Sequence, residues 1–298
     1  MLGIIIINYN TYNKTIECIN SINRTYDGEY RIYLLDNASP NESGEKLSEE
    51  YENDDKVCLI LSETNHGYAR GNNLCLKKAV EDGCKYVIIS NNDIVYKDDA
   101  IRILLEEITG QKALLVGPKV IKPSGVVQST AKMRRPGFFS YLMHETYLVG
   151  LLPDKGRKYK SVPEESTDVY WIAGCTFIVD VEQFKTLDFF DEYTFLYFEE
   201  YIIAEKARKK ALKLRYCPNA EVLHYHGVSM GGTLNITTRS TNWRSEAYFV
   251  KTYWHWGIIK MWLLWQMRVL EIRFNARHSS DRKQLVEKYR EGKKYLKR

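Results

Sequence analysis

The 298-residue sequence lacks several features that would assign it to common classes of protein. Its six cysteines form no C-x-x-C pair and no zinc-ligand spacing, so we expect reduced, mostly buried cysteines in a cytosolic protein. No segment reaches the roughly 18 consecutive apolar residues that a membrane-spanning helix needs. The first seven residues have no basic region before their apolar run, so they predict a β-strand rather than a signal peptide.

Two more absences narrow the function. No G-x-G-x-x-G motif follows the first predicted strand, which disfavours a dinucleotide-dependent dehydrogenase. Residues 239–298 carry 15 Lys and Arg but only 5 Asp and Glu, a net charge of +10, whereas the whole chain carries +5. The other residues therefore carry −5, and a basic end on an acidic body predicts an anionic partner. No recognisable nucleic-acid-binding module is present, so a membrane surface is the partner that we favour.

The first 110 residues alternate strand patterns with helix patterns. Apolar runs at 3–7, 30–35, 57–61 and 86–90 predict buried strands, with helices between them. Such alternation predicts a parallel sheet with right-handed crossovers. Later residues predict shorter strands, a long irregular segment and a helical end. The predicted fold class is therefore α/β, with a mostly parallel central sheet flanked by helices and a C-terminal helical extension.

Four short polar motifs stand where these strands end or where the next helix begins. In isolation each would be an ordinary turn, because Asn, Asp and Gly are common turn residues. Four in succession at one edge of a sheet instead indicate a ligand site, since open parallel sheets bind ligands at their carboxyl edge. The candidate ligand-binding residues are Asn8, Tyr9, Asn10, Asp36, Asn37, Gly67, Arg70, Asn73, Asn91, Asn92 and Asp93.

The chemistry of these motifs favours a nucleotide. The Asp36 carboxylate suits a base imide or a ribose hydroxyl. The turn at Gly67, with Arg70 beside it, suits phosphate, because helix N-termini and guanidinium groups both bind anions. Asp93 can hold a divalent cation, and that cation can bind a diphosphate. Together these residues predict an enzyme that uses a nucleotide-activated donor.

These motifs and several later ones resemble those of a known family. The sequence is similar to the family-2 glycosyltransferases of the GT-A type, and among them to rhamnosyltransferase-like enzymes of bacterial surface polysaccharide synthesis. The resemblance covers roughly residues 1–230, and its motifs agree in order and spacing. They are Ile6-Ile7-Asn8-Tyr9-Asn10, Leu35-Asp36-Asn37-Ala38-Ser39, Asn65-His66-Gly67-Tyr68-Ala69-Arg70-Gly71-Asn72-Asn73, Asn91-Asn92-Asp93, Trp171-Ile172-Ala173-Gly174, Phe190-Asp191-Glu192, Phe195-Leu196-Tyr197-Phe198-Glu199-Glu200 and Val222-Leu223-His224-Tyr225-His226-Gly227-Val228-Ser229.

The resemblance implies a GT-A fold and an inverting transfer of a sugar from a nucleoside diphosphate donor to the hydroxyl of a glycan or lipid-linked acceptor. Donors based on dTDP-rhamnose or UDP are favoured. Residues 1–235 would form the catalytic domain, with a nucleotide-binding half at 1–110 and an acceptor-binding half at 111–235. Residues 236–298 would form a Trp-rich, basic helical extension. The expected location is cytoplasmic, and the basic C-terminal segment leaves a peripheral position on the inner face of the cell membrane open.

The resemblance also implies the catalytic residues. The family's Glu-Asp pair corresponds to Glu199 and Glu200, and Glu200 takes the position of the base that removes the acceptor proton. The family usually has Asp at that position, and many relatives carry an acid where this chain has Ile202. Trp171 and Gly174 correspond to residues that shape the donor-sugar and acceptor pocket.

A divalent metal, Mn²⁺ or Mg²⁺, is the cofactor that the resemblance implies. Asp93 corresponds to the family's metal-binding aspartate, and His224 to a metal-binding histidine, a ligand set that suits either ion. Asn91 replaces the first acid of the motif. His226 is a weaker candidate for a position near the acceptor or the diphosphate.

The C-terminal segment is rich in Trp, with Trp243, Trp254, Trp256, Trp262 and Trp265 inside 23 residues. The spacing of Ile258, Trp262, Trp265, Val269 and Ile272 predicts one apolar stripe along a helix. That stripe would either dock on a membrane or pack on the catalytic domain or a second subunit, and the sequence leaves these alternatives open.

Two other classes of function stay open at this point. Nucleotidyltransferases share the fold type and acidic metal sites, but they tend to have a Gly-rich basic loop after the first strand, which this chain lacks. A non-catalytic module that binds a sugar nucleotide or a partner is supported only by the departures at Glu200 and Ile202. Homo-oligomerisation is also open.

Overall fold

The protein is represented by a computed structural model that describes residues 1–144, 163–225 and 236–275. The strands are β1 (Leu2–Asn8), β2 (Tyr30–Asp36), β3 (Val57–Leu61), β4 (Tyr86–Asn91), β5 (Ile94–Tyr96), β6 (Leu115–Ile121), β7 (Ala131–Lys132), β8 (Thr167–Val169), β9 (Trp171–Ile172), β10 (Thr176–Asp180) and β11 (Leu214–His224). The helices are α1 (Tyr12–Thr25), α2 (Ser43–Tyr51), α3 (Gly67–Glu81), α4 (Ala100–Gln111), α5 (Phe138–His144), α6 (Val181–Thr186), α7 (Glu199–Lys209), α8 (Ile236–Thr252) and α9 (Ile258–Asn275).

Nine of the strands form one sheet, in the order β3-β2-β1-β4-β10-β6-β11-β5, with β8 paired to β11. Strands β1, β2, β3, β4, β6 and β11 run in one direction, and β5, β8 and β10 run in the other. Strands β7 and β9 form a separate antiparallel pair. The predicted α/β fold with a mostly parallel central sheet is therefore confirmed.

Both faces of the sheet are covered, as the continuous apolar runs require. Successive side chains of a strand point to opposite faces. Ile4 and Ile6 of β1 therefore pack with α1 and α4 on one face, while Ile5 packs with α3, α6 and α7 on the other. All three isoleucines are fully buried. This burial fixes β1 in the middle of its neighbours β2 and β4, so that the polar ends of these strands share one edge.

Helix α3 begins at Gly67. Gly67 has a φ of +72°, which favours glycine, and a Cβ there would collide with the carbonyl oxygen of Phe195. Its N–H donates to Asn65 Oδ1 at 2.9 Å. The helix start is thus set by a turn and a close backbone approach, neither of which is visible in the apolar periodicity.

The C-terminal helices α8 and α9 pack on α5 and α7 through a third apolar cluster, which includes the buried Trp243, Trp254 and Trp256. The predicted apolar stripe of α9 is only partly buried. Trp265 and Val269 pack against this cluster, whereas Ile258 and Trp262 are 71% and 50% exposed. Met261 and Leu264, which lie beside the stripe, anchor the helix, so the stripe is packed toward the C-terminal end of α9 and exposed toward its N-terminal end. The side chain of Ile272 is outside the described residues.

Two simple expectations can be checked against the fold. None of the six cysteines is in a disulfide, and all except Cys58 are buried. Among the described helices, none combines the length and the apolar character needed to cross a bilayer.

Candidate active site

The ends of β1 and β2 meet in a buried hydrogen-bond network. The strand register places Asn8 opposite Asp36, and Asn8 Nδ2 donates to Asp36 Oδ1 at 2.7 Å. The Asp36 carboxylate also accepts from the Ser39 hydroxyl at 2.6 Å and from the Ser39 N–H at 3.1 Å. Asn8 and Asp36 are nearly inaccessible. The predicted strand-end residues are therefore held rigidly in place by the loop that follows β2.

Asn92 connects the end of β4 to this network. Its Nδ2 lies 2.7 Å from Thr11 Oγ1, 2.9 Å from Thr15 Oγ1 and 3.3 Å from Asn8 Oδ1. These contacts use the amide nitrogen within the protein, so the observed role of Asn92 is to align two strand ends. Its predicted contact with a donor stays a prediction.

Asn37 binds the turn that starts α3. Its Oδ1 accepts from the His66 N–H at 2.8 Å, and its Nδ2 donates to Asn65 Oδ1 at 3.1 Å and to the Gly67 carbonyl at 3.2 Å. The Gly67 turn thereby stands beside the ends of β1 and β2, as predicted. Tyr9, which follows Asn8 at the end of β1, is 37% exposed.

Two predicted residues on α3 bind another part of the chain. Asn73 donates to the Phe190 carbonyl and to Glu192 Oε1, each at 3.0 Å, and accepts from the Phe190 N–H at 3.1 Å. Arg70 Nε lies 3.1 Å from Glu192 Oε2, in an exposed ion pair. Asn73 therefore fixes the segment around Phe190, and any contact of Arg70 with phosphate would compete with Glu192.

Asp93 and His224 are brought together by the pairing of β5 with β11. His224 is opposite Ile94 in the register, and the Tyr225 N–H donates to the Asp93 carbonyl at 3.1 Å. Both side chains are buried, and Asp93 Oδ1 lies 3.2 Å from His224 Nε2. On the other side of the ring, His224 Nδ1 lies 3.2 Å from Gln128 Oε1. A hydrogen bond there orients the imidazole and directs Nε2 toward Asp93.

This pair fits one edge of a divalent metal site. A carboxylate oxygen and an imidazole nitrogen at this distance either share the proton of an Nε2–H group or both face a bound cation. Adjacent ligands of an octahedral ion with bonds near 2.1 Å are about 3 Å apart, close to the observed separation. The residues described here contain no cluster of three His, Cys, Asp or Glu side chains around such an ion. Oxygens of a ligand and water would have to fill its remaining positions.

Glu200, at the start of α7, is held by Gly174. The Gly174 N–H donates to Glu200 Oε1 at 2.9 Å, and a Cβ on Gly174 would come within 2.5 Å of the same oxygen. Tyr68 fixes this backbone from the other side, because its hydroxyl donates to the Gly174 carbonyl at 2.5 Å. Gly174 thus has the role of positioning the carboxylate, which the sequence did not reveal.

The turn into α7 is strained. Tyr197 and Phe198 have φ values of +73° and +72°, in the left-handed region that non-glycine residues avoid. Each such residue costs on the order of 1 kcal/mol or more and persists only where the surroundings impose it. Here the strain turns the chain so that Glu199 and Glu200 begin the helix, with Glu199 nearly inaccessible and Glu200 partly exposed.

The two carboxyl groups have raised pKa values. Burial, together with the nearby charge of Glu200, raises the pKa of Glu199 to about 8. Burial also raises the pKa of Glu200, but hydrogen bonds from backbone N–H groups, including that of Gly174, and the nearby Lys132 ammonium act in the opposite direction. Lys132 also lies 5.0 Å from the centre of the Trp171 ring. At neutral pH Glu199 therefore favours its protonated form.

A short path joins the two groups of residues. Cys175, next to Gly174, accepts a hydrogen bond through its carbonyl from the Asn91 N–H at 2.7 Å. Asn91 is two residues before Asp93, so Glu200 and Asp93 are both fixed to the same loop connection between β9 and β10. The structure thus brings together Asp93, His224, Glu199, Glu200, Gly174 and Trp171. His226 lies outside the described residues.

Sequence reasoning missed Gln128, Lys132 and Tyr68. Tyr68 stands inside a motif that was singled out, but nothing in the motif indicates its hydrogen bond to Gly174. Gln128 and Lys132 belong to a stretch without clear periodicity, and only the pairing of β7 with β9 places Lys132 beside Trp171.

The fold is shared with solved GT-A glycosyltransferases. A crystal structure of GalNAc-T7 with UDP, GalNAc and Mn²⁺ superposes with a TM-score of 0.64 at 17% identity, covering 84% of this chain and 47% of that one. S. aureus TarS 1-349 in complex with UDP-GlcNAc gives a TM-score of 0.54 at 15% identity, covering 98% and 72%. These identities establish the GT-A fold and no more.

The sequence itself establishes the family. The family described as Glycosyl transferase family 2 matches residues 3–169, more than half of the chain, so the chain belongs to that family. It is 24% identical over 248 residues to N-acetylglucosaminyl-diphospho-decaprenol L-rhamnosyltransferase of Mycobacterium tuberculosis, covering 78% of each chain. It is 23% identical over 225 residues to the low-salt glycan biosynthesis hexosyltransferase Agl10 of Haloferax volcanii. That match spans 75% of this chain and 66% of the relative. The family expected from the motifs is confirmed.

Proposed function

We propose that the chain is an inverting, metal-dependent glycosyltransferase that moves a sugar from a nucleoside diphosphate donor to a hydroxyl of a glycan or lipid-linked acceptor. The observation that carries the proposal is the connection of the Asp93–His224 pair to Glu200 through the Gly174–Cys175 backbone. Through this connection, one rigid element would hold both the donor diphosphate and the attacking hydroxyl.

The donor would lie at the carboxyl edge of β1, β2 and β4. Tyr9 offers an exposed ring there, and the buried Asn10 Oδ1 accepts no hydrogen bond from the described residues. A ribose or base group could supply the missing donor. Asp93 and His224 would hold Mn²⁺ or Mg²⁺, whose charge would offset that of the diphosphate as the glycosidic bond breaks.

Glu200 would remove the proton of the acceptor hydroxyl as that oxygen attacks the sugar. The charged form that a base needs is favoured by the Gly174 N–H and by Lys132. Because base and leaving group act on opposite sides of one displacement, the configuration of the transferred sugar would invert. Glu is one methylene longer than the Asp usual in the family, and Gly174 provides the space for it.

The donor and the acceptor are proposed by class. A relative named as an L-rhamnosyltransferase and neighbours crystallised with UDP or UDP-GlcNAc support dTDP-rhamnose or a UDP-sugar. The same relative's name includes a diphospho-decaprenol acceptor, which supports a lipid-linked acceptor in surface glycan assembly.

A thermal-shift panel of UDP-, dTDP- and GDP-sugars, with and without Mn²⁺, tests the donor site, because ligands that bind the native state stabilise it. We expect stabilisation by one nucleotide only when the metal is present. The transfer assay then compares wild type with Glu200→Gln, which we expect to be about 10²- to 10⁴-fold slower while keeping the thermal shift. No shift with any nucleotide would overturn the proposal. Transfer at an undiminished rate in Glu200→Gln would remove Glu200 as the base.

A further inference from the structure

An exposed apolar surface lies where α9 meets α5, outside the site described above. Its members are large apolar side chains that are 37% to 78% exposed. We call it the C-terminal apolar face, and it comprises Phe139, Ile258, Ile259, Trp262, Leu263 and Leu270.

The exposure is a property of one side of a well-anchored helix. Met261 and Leu264, on the opposite side of α9, are 2% and 0% exposed. Arg268 fixes the same helix through Nη2, which donates to Glu246 Oε1 at 2.7 Å. The residues at 258, 259, 262, 263 and 270 follow helical spacing in a strip on one side of the helix, where Gln266 occupies the position between 263 and 270. This strip is therefore presented outward by a helix whose other side is fully packed.

Helix α5 extends the strip across a second element. The rings of Phe138 and Phe139 are 5.2 Å apart, and Phe138 packs edge-on against Trp256 at 4.9 Å. Lys260 Nζ lies 5.4 Å from the centre of the Phe138 ring, at the border of the face. Two helices that are far apart in sequence thus contribute apolar side chains, a Trp and a bordering Lys to one surface.

Charge decides which occupant fits this face. Residues 239–298 carry a net charge of +10. In that range Glu246, which is fully buried, forms an ion pair with Arg268, and this pairing leaves the net charge of the other residues at 14 − 4 = +10. Two copies joined through this face would bring two such segments together, and their repulsion would oppose association. Anionic lipid headgroups around an apolar interior offer the complementary arrangement.

We propose that the C-terminal apolar face docks the protein on the surface of an anionic lipid bilayer. The Ile and Leu side chains and Phe139 would enter the boundary between headgroups and acyl chains, to a depth of about 5–10 Å. Trp262 would lie at the headgroup level, the position that its ring prefers. Lys260, at the border of the face, would contact lipid phosphate.

Such docking would bring the enzyme to a lipid-linked acceptor, a consequence that rests on the proposed function. Helices α5 and α9, which carry the face, pack in one apolar cluster with α7, the helix that begins with Glu199 and Glu200. The face therefore lies on the same part of the molecule as the proposed base. A lipid-linked sugar would be presented at the same bilayer surface, whereas the nucleotide donor would arrive from solution.

Sedimentation of the 298-residue chain with lipid vesicles tests the proposal. The vesicles contain phosphatidylcholine alone or phosphatidylcholine mixed with phosphatidylglycerol. We expect binding to the mixed vesicles, weakened at high salt, and at least about a tenfold loss of partitioning in the double variant Ile259→Ser/Trp262→Ser. The control is Val126→Ser, which removes an apolar side chain that is 58% exposed elsewhere, and it should bind as wild type does.

Three results would overturn the proposal. These are equal vesicle binding by wild type and the double variant, equal binding to the two kinds of vesicle, and a lipid-free dimer that the double variant converts to monomer. The last result would assign the face to a second copy. Asp93→Ala separates this proposal from the proposed function, because it should lose metal-dependent nucleotide binding and keep vesicle binding. The substituted side chains are exposed, so the melting temperature of the double variant should match that of wild type.

Discussion

The donor-side and acceptor-side regions of the molecule stabilise their buried polar groups in different ways. At the ends of β1, β2 and β4, neutral amides and hydroxyls bind one another and the carboxylate of Asp36. Around α7, α8 and α9, buried carboxylates bind cations and aromatic donors from distant parts of the chain. The comparison indicates that the proposed donor site is assembled by the register of parallel strands in consecutive βα units, whereas the helix that carries the proposed base packs on the C-terminal helices.

Asp191 is one of these acceptor-side carboxylates. Burial alone would raise its pKa, but the hydroxyls of Tyr253 and Tyr248 and the N–H of Tyr193 donate to it and hold its pKa below its ordinary value. The distances from Asp191 Oδ2 are 2.8 Å to the Tyr248 hydroxyl and 2.5 Å to the Tyr253 hydroxyl. The C-terminal helices are therefore attached at the loop that leads to Glu199.

The largest expected effect is on Glu205, which is fully buried in α7. Its carboxylate accepts from Arg135, Tyr170 and Trp254 at 2.5, 2.7 and 2.9 Å. Glu205→Leu should lower the free energy of unfolding by about 3 kcal/mol, because buried donors lose their acceptor, while the partly exposed guanidinium groups stay hydrated. Urea denaturation measures the change.

The matched donor-side variant is Asn92→Ala, which should cost only about 1 kcal/mol, since it leaves neutral hydroxyls with other partners. If Glu205→Leu and Asn92→Ala lowered the free energy of unfolding equally, the difference between the two regions would be contradicted. The exposed Glu50→Gln should change stability by less than about 0.5 kcal/mol and serves as a surface control.

The same difference explains what the sequence could predict. Strand β3 matches its predicted bounds because its signal is local. The strand-end residues Asn8 and Asp36 meet as predicted, since parallel strands in register must bring their ends to one edge. Antiparallel insertion of β10 between β4 and β6 follows from no local pattern.

The acceptor side could not be predicted in this way. Arg135 and Glu205 are 70 residues apart, and Tyr141 and Glu246 are 105 apart. A buried carboxylate and an exposed one look alike in sequence until the partner is known. The contact of Gly174 with Glu200 was missed for the same reason, although both residues stood in motifs that had been singled out.

A smaller effect is expected at Gly174, and it concerns activity. In Gly174→Ala the new Cβ would meet Glu200 Oε1 at 2.5 Å and displace the carboxylate. A displacement near 1 Å can cost about 10²-fold in rate, so we expect transfer to slow by about that factor while nucleotide binding persists. Gly110→Ala, in α4, is the control, because no atom lies within 4 Å of its Cβ. Loss of nucleotide affinity in Gly174→Ala would show that the two sites are not separable.

The smallest effect is on the pH dependence of stability. The pKa of Glu199 is raised from about 4.5 to about 8 by burial and by Glu200. The folded state then keeps a proton that the unfolded state loses, so this contribution to stability is complete below pH 4.5 and is lost as pH rises through 8. Between pH 6 and pH 7, the free energy of unfolding of wild type should fall by about 1 kcal/mol relative to that of Glu199→Gln. Parallel pH profiles for the two proteins would contradict a protonated Glu199.

Calorimetric titration of the stabilising nucleotide with Mn²⁺ into wild type, Asp93→Ala and Glu200→Gln is the most direct test of the division between donor site and base. We predict that Glu200→Gln binds the nucleotide within about twofold of wild type, since it keeps the shape of the side chain and removes only the charge. When metal is present, Asp93→Ala should bind the nucleotide at least about tenfold more weakly than wild type. Without metal, the affinity of wild type should not exceed that of Asp93→Ala. Equal affinities of wild type and Asp93→Ala, or a loss confined to Glu200→Gln, would contradict the assignment of these two carboxylates.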